Sequence, residues 1–167
     1  MNLFILRHGI AVERGAPGYD KDADRPLTPK GERRLGGIAD AIEAMKLKFD
    51  LILSSPYTRA RQTAEIVAEA LNLKKLLEFS DHLTPNGSAK ALITELSKLD
   101  PVPESALLVG HEPYLSELIS TLSSGETRVA IDFKKGGLCK LEVDSLRYGR
   151  CATLAWLLTP RQMGLMA

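Results

Sequence analysis

Leu3-Phe4-Ile5-Leu6-Arg7-His8-Gly9 is an apolar run that stops abruptly at an arginine, a histidine and a glycine. Such a run reads as a strand covered on both faces, the usual state of a parallel sheet with helices above and below. In sheets of that kind ligands bind beyond the carboxyl ends of the strands. Arg7 and His8 therefore fall where an α/β protein keeps its site. Gly9 lets the chain turn or a ligand approach the backbone closely.

After the glycine, Ile10 to Arg25 is a loop rich in small, charged and turn residues, among them Gly15, Pro17, Gly18, Asp20, Asp22 and Asp24. Thr28-Pro29 starts a helix, with threonine as N-cap and proline at the first helical position, where its missing N–H costs nothing. Leu35, Ile38, Ile42 and Met45 follow as one stripe. Asp50 to Leu53 is a second short strand, which Ser54-Ser55-Pro56 turns into a helix with an inward stripe of Ala60, Thr63, Ala64, Val67 and Leu71. Arg59 lies in its first turn, where unpaired N–H groups favour an anion.

Leu76 to Phe79 reads as an edge strand and Ser88 to Leu99 as a helix with Leu92, Ile93, Leu96 and Leu99 inward. The opening pattern then recurs. Ala106 to Val109 is a buried strand broken by Gly110, with His111 at its end, and Pro113 starts a helix. Gly137 to Val143 and Arg150 to Leu158 read as two strands around a turn, so the sheet ends in an antiparallel hairpin. Trp156, Leu157 and Leu158 read as core. The expected fold is α/β, a three-layer α/β/α sandwich with a mostly parallel central sheet, in a single domain spanning 1–167.

At 167 residues, with 44% hydrophobic and 26% charged residues, the chain is long enough for a proper core and is not a disordered or fibrous sequence. A net charge of +1 gives generic nucleic-acid or anionic-membrane binding no support, so affinity for anions has to come from local placement. Cys139 and Cys151 read as reduced, buried thiols rather than a disulfide framework. No stretch approaches a membrane span and no signal-peptide core is visible, so a cytoplasmic location is expected.

Three strand ends thus deliver Arg7 with His8, Arg59, and His111 to one sheet edge. Four cationic or potentially cationic groups around one pocket repel one another unless an anion joins them. Phosphate fits, because arginine presents a planar fork to phosphoryl oxygens. Neighbouring cations depress a histidine's pKa, which keeps His8 neutral and able to attack phosphorus as a covalent phosphoryl carrier. Arg7, Arg59 and His111 would then neutralise the equatorial oxygens. Walker-type loops and cysteine-phosphatase loops are absent, and no metal or other cofactor is expected.

Leu6-Arg7-His8-Gly9, Arg25-Pro26-Leu27-Thr28, Ser54-Ser55-Pro56 with Arg59-Ala60 and Gln62-Thr63-Ala64, and Val109-Gly110-His111-Glu112-Pro113 together resemble the histidine phosphatase (phosphoglycerate mutase-like) superfamily. The similarity is greatest to its small phosphohistidine phosphatase branch, the SixA type, and extends from Met1 to about Leu122. It implies a three-layer fold, His8 as phospho-acceptor, and Arg7, Arg59 and His111 as the phosphate pocket. Arg25 and Glu112 are added as substrate-binding residues, with pinning of its own loop as the equal alternative for Arg25.

Two departures bear on substrate. Ile10 and Ala11 follow the triplet where many members carry a glutamate or glutamine and a serine or threonine. Leu83-Thr84-Pro85 stands near the position of the general-acid glutamate of mutases and many phosphomonoesterases. An alkoxide leaving group needs a proton that imidazole leaving a P–N bond needs far less, so the pattern tilts toward phosphohistidine on a protein. Asp22, Asp24, Asp81 and His82 are the candidate replacements. The large insertions that roof the site in mutases are also missing, which suits a protein-borne phosphoryl group. A small-molecule phosphomonoesterase or mutase, and a catalytically silent phosphoprotein-binding module, stand as alternatives.

Overall fold

In the computed structural model, which describes all of Met1–Ala167, the opening run is strand β1 (Asn2–Arg7). After it come α1 (Pro29–Ala44), β2 (Leu51–Ser54), α2 (Thr58–Ala70), β3 (Leu77–Phe79), α3 (Ala89–Ser97), β4 (Ser105–Gly110) and α4 (Tyr114–Ser124). The chain closes with β5 (Leu138–Val143), β6 (Ala152–Leu158) and the single turn α5 (Pro160–Met163). One sheet holds all six strands in the order β3-β2-β4-β1-β5-β6. The first four of these are mutually parallel, while β5 runs antiparallel to β1 and forms the expected hairpin with β6.

Side chains of β1 alternate between two apolar layers, so both faces of the strand are dry. Leu3 and Ile5 meet Leu92 and Leu96 of α3 and Leu115 and Leu118 of α4, whereas Phe4 and Leu6 meet Leu35, Ile38 and Ile42 of α1 and Ala64 and Val67 of α2. That makes the three layers. Because both faces are apolar, alternation of polarity cannot set the strand register. The polar ends do so: slipping β1 by one residue would draw Arg7 into the core, and a buried unpaired charge is far costlier than one misplaced Leu, worth roughly 1.5–3 kcal/mol. Thr28 caps α1 as expected, its hydroxyl accepting from the Gly31 N–H at 3.0 Å with Pro29 in the first turn.

Some expectations shift. Trp156, Leu157 and Leu158 are only partly buried, because β6 is the outer strand, although the Trp156 ring still packs 5.9 Å from that of Phe4. Gly9 serves helix packing rather than a turn or a ligand: a Cβ there would lie 2.8 Å from Cδ1 of Leu35. Both cysteines are buried and free, and burial pushes the Cys139 thiol up to about 12. No helix is long and apolar enough to cross a membrane.

Candidate active site

Parallel register builds the centre of the site. Arg7 of β1 pairs with Gly110 of β4, so the next residues, His8 and His111, leave the sheet side by side with ring centroids 5.1 Å apart. The His8 N–H donates to the Gly110 carbonyl at 3.0 Å, and the Ser55 N–H to the Val109 carbonyl at 2.9 Å. The turn from β2 into α2 therefore lies against His111, and the first turn of α2 carries Arg59 to His8. On the opposite flank β5 enters the sheet from a loop that wraps the end of β1. Gly136, in the left-handed region at φ +78, directs its N–H at the carbonyls of both Arg7 (3.0 Å) and His8 (3.1 Å).

His8 is 6% exposed. Its Nδ1 lies 2.7 Å from the Gly9 carbonyl, and since a carbonyl only accepts, Nδ1 holds the proton and Nε2 the lone pair. That lone pair accepts from Nε of Arg59 at 3.3 Å. Burial, with electrostatic coupling to the His111 ring and to the guanidinium groups of Arg59 and Arg7, holds the His8 pKa well below 6.5 against the opposing Gly9 bond. The ring is therefore a neutral nucleophile near pH 7.

His111, 1% exposed, is oriented from its far nitrogen. Nε2 lies 2.8 Å from Oγ of Ser55, and that oxygen already accepts from the Tyr57 N–H at 3.3 Å. With the Ser55 hydroxyl donating to Nε2, Nδ1 is an N–H; it is buried and has no partner. Burial first, then Arg59, pull the His111 pKa down to about 3. Nε of Arg7 is likewise buried without a partner, while its Nη1 donates to the Phe133 carbonyl at 2.6 Å. Burial works against the Arg7 charge, and Glu112 and Asp132 support it. Two unsatisfied N–H donors beside a neutral imidazole lone pair are the chemistry of an oxyanion acceptor with a nucleophile in place.

The uncompensated crowd of cations expected from sequence is absent, for two reasons. Both histidines are uncharged, and Asp22 supplies an internal anion. Arg59 donates from Nη1 to the Asp22 carbonyl at 2.7 Å and from Nη2 to Oδ2 at 2.9 Å. Partial burial alone would raise the Asp22 pKa, but hydrogen bonds and charge from Arg25 and Arg59 bring it down to about 2. Asp22 is therefore a carboxylate, and not a proton donor, near pH 7. Asp24, Asp81 and His82 make no side-chain bond to the histidines or the two arginines.

Arg25 and Glu112 are bonded within their own segments. Arg25 directs Nε and Nη2 to Oδ1 of Asp22 (2.9 and 2.7 Å) and Nη1 to the Val12 carbonyl (2.6 Å), which pins the loop, the alternative the sequence offered for it. Glu112 accepts from the Ser116 N–H at 2.8 Å and from the Ser116 hydroxyl, capping the first turn of α4. Sequence reasoning missed Tyr57, whose ring lies 5.5 Å from the Arg59 guanidinium and 5.3 Å from the His111 ring. Its place directly before α2 was the available signal. Phe133, in a loop without periodicity, offered none. Thr63 of the quoted motif accepts the Gly9 N–H at 3.1 Å and donates to the Arg59 carbonyl at 2.7 Å, tying the His8 turn to α2.

Comparison with known proteins gives concordant matches. A model of the histidine phosphatase superfamily (branch 1) matches residues 3–83. The chain is 32% identical over 163 residues to the phosphohistidine phosphatase SixA of Escherichia coli, covering 96% of this chain and 94% of that one. It is 40% identical to an uncharacterized protein of Picosynechococcus sp. over 88% of both chains. Among solved structures, the protein histidine phosphatase SixA complexed with tungstate superposes with a TM-score of 0.82 at 31% identity, covering 96% of this chain and 98% of that one. These relatives support a phosphatase activity.

Proposed function

The chain belongs to the histidine phosphatase superfamily, and on that premise we propose that it removes phosphate from phosphohistidine on a protein in the cytoplasm, without a metal, through a phosphorylated His8. Nε2 of His8 attacks phosphorus as the P–N bond of the substrate breaks. The substrate imidazole, already protonated on its other nitrogen, leaves as a neutral ring. Water then attacks phosphorus, breaks the P–Nε2 bond, and phosphate departs. In both steps the N–H of His111 Nδ1, the Arg7 guanidinium and Arg59 receive the phosphoryl oxygens as charge spreads over them. Arg59 exchanges its Asp22 contacts for phosphate to do so.

The observation that carries the choice of substrate is the state of Asp22. Arg25 and Arg59 together hold its pKa at about 2, and Arg25 keeps its two bonds to Oδ1 when Arg59 turns to phosphate, so the carboxylate has no proton to give an alkoxide leaving group. Neutral imidazole needs none. The test is a panel comparing a phosphohistidine protein with phosphoglycerate and sugar phosphates, together with rapid quench and mass spectrometry for acid-labile phosphate on His8. Higher kcat/KM on the phosphomonoesters, or turnover without a labelled His8, would overturn the reading.

A further inference from the structure

Beside Arg7 a groove of about 590 Å³ runs across the sheet edge between α1, the loop before β5 and the start of α5. Its charged lining is Arg7, Arg34, Lys134, Lys135 and Arg161 against one carboxylate, Asp132. The topology explains the gathering. β5 enters and β6 leaves the sheet at the end where Arg7 stands, with Leu138 opposite both Leu6 and Leu158. The residues just before β5 and just after β6 therefore flank the end of β1. Gly136 fastens the lysine pair there through its bonds to Arg7 and His8.

Local charge decides what the groove takes. Asp132 is spent on Lys134, at 2.6 Å, and Arg7 on the Phe133 carbonyl. Arg34, Lys135 and Arg161 are exposed and carry no ion pair or side-chain hydrogen bond. At the opposite end of the strands Asp50, Glu78, Asp100 and Glu104 line a separate groove. In a chain of net charge +1 the two grooves thus carry opposite charge, basic at the histidine end and acidic at the other. Long exposed cations on an open rim do not enclose a small anion; they suit many weak contacts over a broad surface and steer an approaching acidic body.

We propose that this groove is the docking surface for an acidic stretch of the phosphoprotein, lying beside its phosphohistidine, and that it sets substrate preference through KM. The inference rests on the phosphohistidine reading, and the experiment separates the two. Two phosphohistidine peptides, one with Asp and Glu flanks and one with Ser and Gln flanks, are turned over by the wild type and by an Arg34→Glu/Lys135→Glu/Arg161→Glu variant. The wild type should favour the acidic peptide by about tenfold in kcat/KM at low salt, mostly through KM, and the preference should fade at high salt. The variant should lose that preference and keep its rate on the neutral peptide.

Equal use of both peptides by the wild type, or a preference that survives in the variant, overturns the proposal. Should neither peptide be hydrolysed while phosphomonoesters are, the phosphohistidine reading fails. Fluorescence anisotropy with a labelled, unphosphorylated acidic peptide then decides the groove alone: binding lost in the variant supports it, and equal binding to both proteins overturns it. Inorganic tripolyphosphate binding as tightly as the acidic peptide, with that binding lost in the variant, would mean a small-anion site in the groove and also overturns it. If the triple variant misfolds, Lys135→Gln/Arg161→Gln carries the same comparison.

Discussion

Burying two neutral histidines ties the stability of this protein to pH, and His111 lets the effect be sized. In the unfolded chain its pKa returns to about 6.5; in the native fold burial and Arg59 hold it at about 3. Between those values the unfolded state binds a proton that the native state refuses. The contribution is therefore complete above about pH 6.5 and is lost as the pH falls toward 3. From about pH 7.5 to about pH 5 the loss is about 2 kcal/mol for His111, at about 1.4 kcal/mol per unit below the unfolded pKa. This corresponds to about 4–8 °C in Tm for a chain of this size. His8 shifts in the same direction and adds to the loss. Asp22 is silent in this window, since its own contribution is lost only as the pH falls from its ordinary 3.8 through about 2. The assay is urea unfolding at both pH values for the wild type and for His111→Gln, whose amide keeps a group near Ser55 but does not titrate. Comparing the two slopes cancels any cavity the substitution leaves. The variant should lose about 2 kcal/mol less than the wild type across the interval; equal losses would refute the account of His111 as a buried neutral ring.

His8→Ala should abolish turnover and incorporation of base-stable, acid-labile phosphate, measured by quench and intact-mass analysis, while leaving a folded protein. Ser55→Ala removes the hydroxyl that assigns the His111 proton, so kcat should fall by about tenfold, the worth of one hydrogen bond, with KM little changed; an unaltered kcat would show that Ser55 does not orient the ring. Asp22→Asn releases Arg59 from its internal anion, so tungstate should bind about tenfold more tightly by calorimetry, and weaker binding would show that Asp22 helps the site receive its ligand. Turnover should be unchanged by EDTA, measured as phosphate release before and after dialysis against the chelator.

Much of the site was legible because strand ends follow a simple grammar. Apolar residues to Leu6 and to Val109, each followed by one breaking residue, Arg7 or Gly110, and then a histidine, point to two buried strands, and parallel pairing then brings His8 to His111. Arg59 was legible from its place in the first turn of α2. The loop from Ile10 to Arg25 was not. Asp20, Asp22 and Asp24 are equivalent on paper, and only the backbone path decides that Asp22 meets Arg59. The internal bonds of Arg25 and Glu112 were not legible for a related reason: a charged side chain near a site is as readily spent on its own loop or helix as on a ligand. The basic groove escaped because its members lie far apart in the chain and meet only where β5 enters and β6 leaves the sheet.

The pairing of Arg7 with Gly110 makes the gap between the two imidazoles a property of the backbone ladder. Lengthening or shortening the surface connections between those strands should leave the gap untouched, since neither end of the ladder moves. Deleting one residue inside β4 is different: it advances the following backbone by about 3.3 Å and turns the next side chain to the other side of the sheet. Connections away from the site, such as that from α3 to β4, can therefore drift in length, while a single dropped codon within either strand dismantles its chemistry.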